Sequence, residues 1–318
     1  MNLNKLIPLM TETVTPDWYA TQDYLKLPQQ HQLHLIKDIG NHIVRGKHLR
    51  PLLVLAIGNI LGKCNKSHHL LAAIVEIIHC ATLLHDDVID DAPKRHNQPT
   101  AWYEHGNKAS ILVGDYFFSQ AFRWIAALED PIVIHDLAQA TQIIVAGEVQ
   151  QHQVRNKLNI DAGTYFSIIQ AKTAELFKQA CHLSAKVSNA SPEITQACLS
   201  FGQALGLAFQ LQDDLLDYTS DVSGKTLGQD WLDRKTTYPL IMAYQKDKFK
   251  DAIESAHKNK ASVAEITHLL ETSGAFELTR QKISEYVDQA NQALSQLPSH
   301  DLTDLLTQLI ATLEHRVY

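Results

Sequence analysis

Apolar residues recur three and four positions apart over most of this chain, and almost no stretch alternates every second residue, so the pattern predicts helices and few strands. Between about Thr11 and Val44 it predicts two or three helices, broken at Pro16 and Pro28. A longer helix is expected from about Leu70 to Asp91. Others follow over Ala109 to Glu129, Val133 to Asn156, Tyr165 to Val187 and Ala197 to Tyr218, with several more between Pro239 and Tyr318. The fold class expected is all-α: a single domain over residues 1–318, one large bundle of roughly a dozen helices around a central cavity.

Two of these helices do not read as plain core. The first ends in Asp86-Asp87-x-x-Asp90, with Glu76 and His79 on the same side as Asp86 and Asp90. In the second, Gln210, Asp213, Asp214 and Asp217 stand at i, i+3, i+4 and i+7, one polar stripe on a helix otherwise made of Leu, Phe and Ala. Gly202 and Gly206, one turn apart below that stripe, leave room for a close approach. A further oddity is Lys172-Thr173 inside an apolar run, where an ammonium must either snorkel or meet an anion.

Composition narrows the choice. Hydrophobic residues make up 45% and charged residues 20%, with 13 Gly and 10 Pro, which fits a helix-rich folded protein. A formal net charge of −7 and the lack of any long Lys/Arg run argue against a nucleic-acid partner. Cys64, Cys80, Cys181 and Cys198 lie inside helical patterns without CxxC spacing and read as buried thiols in a reducing compartment. The N-terminal residues lack an apolar leader, and no uninterrupted apolar run reaches membrane-spanning length. A cytoplasmic location is expected.

Like charges one helical turn apart destabilise the helix that bears them, so the acidic stripes call for cations. A lone DDxxD is as often a solvated helix end. Its repetition changes that balance, because two such helices facing each other would wall a cavity able to hold several Mg²⁺ ions and a diphosphate between them. Basic residues recur nearby: Arg45 to Arg50, Lys94 to His96, and Lys225, Arg234 and Lys235 in the turn-rich stretch from Thr219 to Thr237, which is the best lid candidate. Apolar helices beneath the acidic ends would line a channel for hydrocarbon. The substrate should therefore be polyanionic at one end and greasy at the other.

At Gly46-Lys47-x-Leu49-Arg50-Pro51, His79-x-Ala81-Thr82-Leu83-Leu84-His85-Asp86-Asp87-x-x-Asp90, Lys172-Thr173-Ala174 and Phe209-Gln210-Leu211-x-Asp213-Asp214-x-Leu216-Asp217 the chain resembles the trans-isoprenyl diphosphate synthase family, its long-chain members in particular. The resemblance implies an isoprenoid synthase type I fold and successive condensation of isopentenyl diphosphate with an allylic prenyl diphosphate. It implies Asp86, Asp90 and Asp213 as Mg²⁺ ligands, with Asp87, Asp214 and Asp217 belonging to the same metal site. Lys47, Arg50 and His79 would hold isopentenyl diphosphate. Arg95, Lys172, Lys225 and Lys235 would hold the allylic diphosphate, with Thr173 and Gln210 near the allylic carbon.

Bulky aromatics at the positions of Ala81 and Thr82 accompany short products in that family, so this small pair implies a long-chain product of the kind used as a quinone side chain. A homodimer and peripheral membrane contact for product release are also expected. The chain departs from the family pattern at His96, where a second Arg is usual and which would adjoin the isopentenyl diphosphate seat, at Asn97 for Gly, and at Asp233-Arg234-Lys235 for Glu-Gly-Lys. Competing readings are a weakly active or regulatory subunit, a shorter-chain synthase, and a terpene cyclase; the last would carry an Asn/Ser/Glu metal motif where this chain has Asp213-Asp214-x-x-Asp217.

Overall fold

The computed structural model describes residues 3–41, 46–95, 98–219 and 227–314, and these form seventeen α-helices. The first four are α1 (Leu3–Thr13), α2 (Thr15–Leu25), α3 (His34–Gly40) and α4 (Leu49–Ile60). The middle of the chain gives α5 (Lys66–Ile89), α6 (Ala101–His105), α7 (Asn107–Ala126), α8 (Pro131–Val154), α9 (Ala162–Ile169), α10 (Glu175–Val187) and α11 (Pro192–Thr219). After these come α12 (Gln229–Leu232), α13 (Tyr238–Tyr244), α14 (Asp247–Lys258), α15 (Val263–Thr272), α16 (Ala275–Leu294) and α17 (Asp301–Glu314). The strand content of the described residues is one antiparallel pair, Lys94–Arg95 with Gln98–Pro99. The fold is all-α.

Helix starts follow local chemistry. Asn65 caps α5 through its side-chain oxygen, which accepts the N–H groups of Ser67 and His68, while the His68 ring returns a contact to the Asn65 N–H. Asp130 does the same for α8, whose first residue is Pro131. Pro16 sits in the first turn of α2, where a missing N–H leaves no hydrogen bond unmade, so it opens that helix and α1 before it begins at Leu3. There are more helices than expected because short ones, such as α6 of five residues and α12 of four, lie in stretches too brief to show a helical period.

A single hydrophobic cluster extends from Leu3 to Leu313. Its axis is α5, which packs along α7 and α4, and α11, which packs along α10 and α16. By length and hydropathy α5 could cross a bilayer, but 72% of its apolar window is buried inside the bundle, so here it is a core helix. The glycines of α11 explain how tightly α10 lies against it. A Cβ on Gly206 would stand 2.6 Å from the Cα of Ala174, and one on Gly202 would stand 2.9 Å from the Cα of Lys178.

The run expected as one helix from Tyr165 to Val187 is interrupted. Residues Gln170–Ala174 form a turn of π-helix between α9 and α10. Such a turn widens the helix by one residue and often marks a functional position. It carries Lys172 and Thr173.

Candidate active site

The acidic end of α5 is closed by cations from four other parts of the chain. The helix stops at Ile89, and Asp90 is its C-cap, with its N–H still donating to the Asp86 carbonyl at 2.8 Å. Lys172 Nζ, from the π turn, lies 3.3 Å from Asp86 and donates to Glu148 Oε2 at 2.6 Å and Gln151 Oε1 at 3.0 Å. Lys235 Nζ, from the segment after α12, donates to Asp90 Oδ2 at 2.7 Å, with Arg155 at 3.5 Å on the other oxygen. Arg95 gives two N–H groups to Asp87 Oδ1, at 3.0 and 2.8 Å.

Burial acts to raise the Asp90 carboxyl, but Lys235, Lys172 and Arg155 outweigh it and hold it below its usual range. For Asp87 burial prevails, and despite Arg95 its carboxyl is raised. Glu148, desolvated and repelled by Asp86, is pushed up to about 7 even with Lys172 beside it.

The acidic stripe of α11 is organised differently. Asp214 is buried and accepts the Tyr165 hydroxyl at 2.6 Å and the Gln210 amide at 2.8 Å, with the Tyr238 N–H at 3.4 Å. Enclosure first, then the charge of Asp230, raises its carboxyl to about 7 against these hydrogen bonds. Asp217 accepts the backbone N–H groups of Gln229 and Asp230 at 3.1 and 3.0 Å, so it caps α12. Asp213 is half-buried. Thr173 Oγ1 donates to Gln210 Oε1 at 2.7 Å, which brings together the two residues expected near the allylic carbon.

Those expected around isopentenyl diphosphate come from the residues just before α4, from its first turn and from the middle of α5. Arg50 lies with its guanidinium carbon 4.4 Å from the centre of the Phe177 ring, and its Nε is buried without a hydrogen-bond partner. Burial, partly offset by Glu76, lowers its pKa to about 10, so it stays charged at neutral pH. His79 is desolvated and faces Arg50, Arg95 and His48, which keeps its imidazole neutral. Glu76 accepts from His48 Nδ1 at 2.8 Å, and Lys47 is exposed. Ala81 is fully enclosed, whereas Thr82 keeps part of its surface. His96 and Lys225 lie outside the described residues.

Arg155, Glu148, Gln151 and Tyr165 were not among the site residues expected from sequence. Glu148, Gln151 and Arg155 do form an i, i+3, i+7 polar stripe at the end of α8, a signal as regular as that of α11. Tyr165 gives no such signal, because its partner lies 49 residues away. Residues 155–157 are tied to the segment bearing Lys235: Arg155 Nε donates to the Asp233 carbonyl at 3.0 Å, the Asn156 N–H to the Arg234 carbonyl at 3.1 Å, and Thr236 Oγ1 to the Lys157 carbonyl at 2.8 Å. Asn156 and Arg234 both have left-handed backbones, at φ 68° and 60°, and the position of Arg234 is the one where the family pattern has Gly.

Among the described residues no three Asp, Glu, His or Cys side chains close on one point as a ready cage for a metal. Ammonium groups stand between the carboxylates instead. Hard oxygen donors, two of them a turn apart on α5, suit a cation that keeps much of its water and takes its other ligands from a phosphate, as Mg²⁺ does.

A family model described as polyprenyl synthetase matches residues 33–272. The chain is similar to octaprenyl diphosphate synthase of Escherichia coli (strain K12), 34% identical over 308 residues that cover 94% of each protein. Among solved structures it is similar to a decaprenyl diphosphate synthase from Rhodobacter capsulatus, with TM-score 0.91 and 33% identity over 98% of this chain and 99% of that one. It also resembles a polyprenyl synthase from Caulobacter crescentus CB15 complexed with calcium and isoprenyl diphosphate, with TM-score 0.90 and 32% identity over 98% of both chains.

Proposed function

The chain belongs to the polyprenyl synthetase family and is a prenyltransferase, and from that premise we propose that it lengthens an allylic prenyl diphosphate with isopentenyl diphosphate, in Mg²⁺-dependent head-to-tail steps, to a long-chain all-trans product. The observation that carries this is the reach of Lys235, from beyond α11, to Asp90 at the end of α5, 2.7 Å away. It brings a basic segment that follows the second acidic helix onto the first. A diphosphate entering there meets Lys172, Lys235 and Arg95 in the space they already occupy against carboxylates.

The chemistry is separation and neutralisation of charge. Lys172, Lys235 and Arg95 orient the allylic diphosphate and stabilise it as its C–O bond breaks and it leaves. Bound between Asp86, Asp90 and Asp213, Mg²⁺ would supply further positive charge to the diphosphate oxygens. Thr173 and Gln210 present oxygen dipoles towards the allylic carbon as it becomes cationic. Lys47, Arg50 and His79 hold isopentenyl diphosphate so that its double bond attacks that carbon, with neutral His79 contributing a hydrogen bond and Arg50 a full charge. Loss of a proton to the departed diphosphate completes the step, so no side-chain nucleophile is needed.

A long product accords with the small residues below Asp86, and the reading extends to a quinone side chain made in the cytoplasm. Thr82, which keeps exposed surface, is the better place to block a growing chain than enclosed Ala81. Thr82→Phe should shorten the products by several isoprene units with little loss of total isopentenyl incorporation; an unchanged length distribution would place the hydrocarbon elsewhere. Ala81→Phe should instead cost on the order of 1–3 kcal/mol in folding. A homodimer and peripheral contact with a membrane that receives the product complete the reading, and exposed Leu112 and Phe122 on α7 and Val145 and Val149 on α8 are apolar surface of the kind such contacts use.

The test is incubation of purified protein with Mg²⁺, labelled isopentenyl diphosphate and an allylic primer, then chromatography of the dephosphorylated products. The expected result is a ladder ending in one long-chain species. Products no longer than four isoprene units would contradict the chain length, and no product from the protein alone would favour a subunit that needs a partner.

A further inference from the structure

Thr173 and Gln210 are joined to two residues that the prenyl-transfer scheme gives no part, and the order of contacts fixes the direction of each dipole. Asp214 accepts the Tyr165 hydroxyl on Oδ2 at 2.6 Å and the Gln210 amide on Oδ1 at 2.8 Å. Gln210 therefore turns its NH₂ towards Asp214 and its carbonyl away. That carbonyl takes the Thr173 hydroxyl proton at 2.7 Å. The Thr173 oxygen is then left with lone pairs and no proton on its other sides.

On the prenyl-transfer reading, on which this inference rests, we propose that Tyr165 and Asp214 are positioning residues that set the polarity of the Thr173 hydroxyl, so that its lone pairs face the allylic carbon as positive charge develops. A Thr173 with the opposite orientation would point a proton at that carbon and raise the barrier. The chain of contacts is held on both sides. Thr173 sits in the π turn pressed onto Gly206, and Asp214 has the Tyr238 N–H at 3.4 Å beside Tyr165. Asp214, although part of an acidic motif, thereby acts through Gln210 and Thr173 and does not serve as a metal ligand.

The discriminating change is Asp214→Asn, since an amide at this position can offer its own NH₂ to Gln210 and let both Gln210 and Thr173 reverse. Six proteins are needed beside the wild type: Asp214→Asn, Thr173→Val, Thr173→Ser, the double variant Asp214→Asn/Thr173→Val, Tyr165→Phe and Asp213→Asn. Asp214→Asn should lower kcat by about tenfold to a hundredfold, less than the roughly hundredfold to thousandfold lost when an oriented dipole at a reacting centre is removed outright. KM for isopentenyl diphosphate should stay the same, as should the calorimetric affinity for allylic diphosphate with Mg²⁺.

Thr173→Ser, which keeps a hydroxyl, should lose less kcat than Thr173→Val, and the double variant should be no slower than Thr173→Val, because both changes disable one device. Tyr165→Phe, which keeps the ring and removes one donor to Asp214, guards against misfolding and should lower kcat severalfold with the same dependence on Thr173. Weakened diphosphate affinity in Asp214→Asn, comparable to that of Asp213→Asn, would make Asp214 a ligand and overturn the proposal. So would a full second penalty in the double variant. A wild-type protein that forms no product from both substrates would overturn the prenyl-transfer reading first, before any variant is compared.

Discussion

The two acidic helix ends carry carboxylates at the same spacing and are neutralised in different ways. At the end of α5 the partners are ammonium and guanidinium groups on long side chains: Lys172 at Asp86, Arg95 at Asp87, and Lys235 with Arg155 at Asp90. On α11 the partners of Asp214 are a phenol and an amide, and those of Asp217 include two backbone N–H groups. Flexible cations can be exchanged for a metal or turned onto a phosphate without disturbing the backbone. Donors built into the fold cannot. The α5 end is therefore arranged for traffic in charge, while the α11 end, apart from Asp213, holds the architecture around it.

The largest effect expected is on turnover. Asp86→Ala and Asp213→Ala should each reduce kcat by roughly a hundredfold or more, since each removes a ligand from the charge-bearing centre. Thermal melting should shift little for Asp86→Ala, because losing one carboxylate from a crowded acidic end relieves repulsion. Near wild-type turnover for either variant at saturating Mg²⁺ would break the comparison, since both ends must contribute.

A second effect sharpens the electrostatic side. Glu148 has its carboxyl raised from 4.5 to about 7 in the folded chain. Between those values the folded protein holds a proton that the unfolded chain has lost, so this group's contribution to stability is present below pH 4.5 and falls as pH rises towards 7. The span corresponds to about 3 kcal/mol for a lone group. Asp214 shifts in the same direction, but it is present in both proteins when wild type is compared with Glu148→Gln. In metal-free denaturation the variant should show the shallower pH dependence by that order of magnitude; parallel curves would mean Glu148 titrates normally.

Much of this was legible in the sequence, and the misses have physical causes. The stripe of Asp213, Asp214 and Asp217 and the turn-spaced pair Asp86 and Asp90 are visible because a helix repeats on a short period. Gly202 and Gly206 announced a close neighbour, which proved to be α10. The π turn at Gln170–Ala174 was not visible, since one extra residue barely disturbs an apolar pattern across it. Equal spacing also hid the different partners of Asp87, Asp214 and Asp217, which come from distant elements. No local rule pairs Tyr165 with Asp214 or Arg155 with Asp90.

Two smaller effects bear on the architectural end. Gly206→Ala would drive a methyl group into the backbone at Ala174 and should destabilise the fold by on the order of 1–3 kcal/mol, with loss of activity because Thr173 rides on the displaced turn. A variant as stable as wild type would mean that the turn yields easily. Asp217→Ala removes the cap on α12 and should cost about 0.5–2 kcal/mol in denaturant unfolding. If Asp217→Ala leaves stability unchanged while Asp86→Ala lowers it, the contrast between the two ends is reversed.

The central claim is that both ends together hold a metal-bridged diphosphate, with the cations now lying on α5 carboxylates turning to the substrate. Calorimetric titration of an allylic diphosphate into metal-free protein, with and without Mg²⁺, measures this directly. Tight binding should require Mg²⁺ and should be lost in Asp86→Ala and in Asp213→Ala alike. Equal affinity without Mg²⁺, or binding that survives either substitution, would contradict the account.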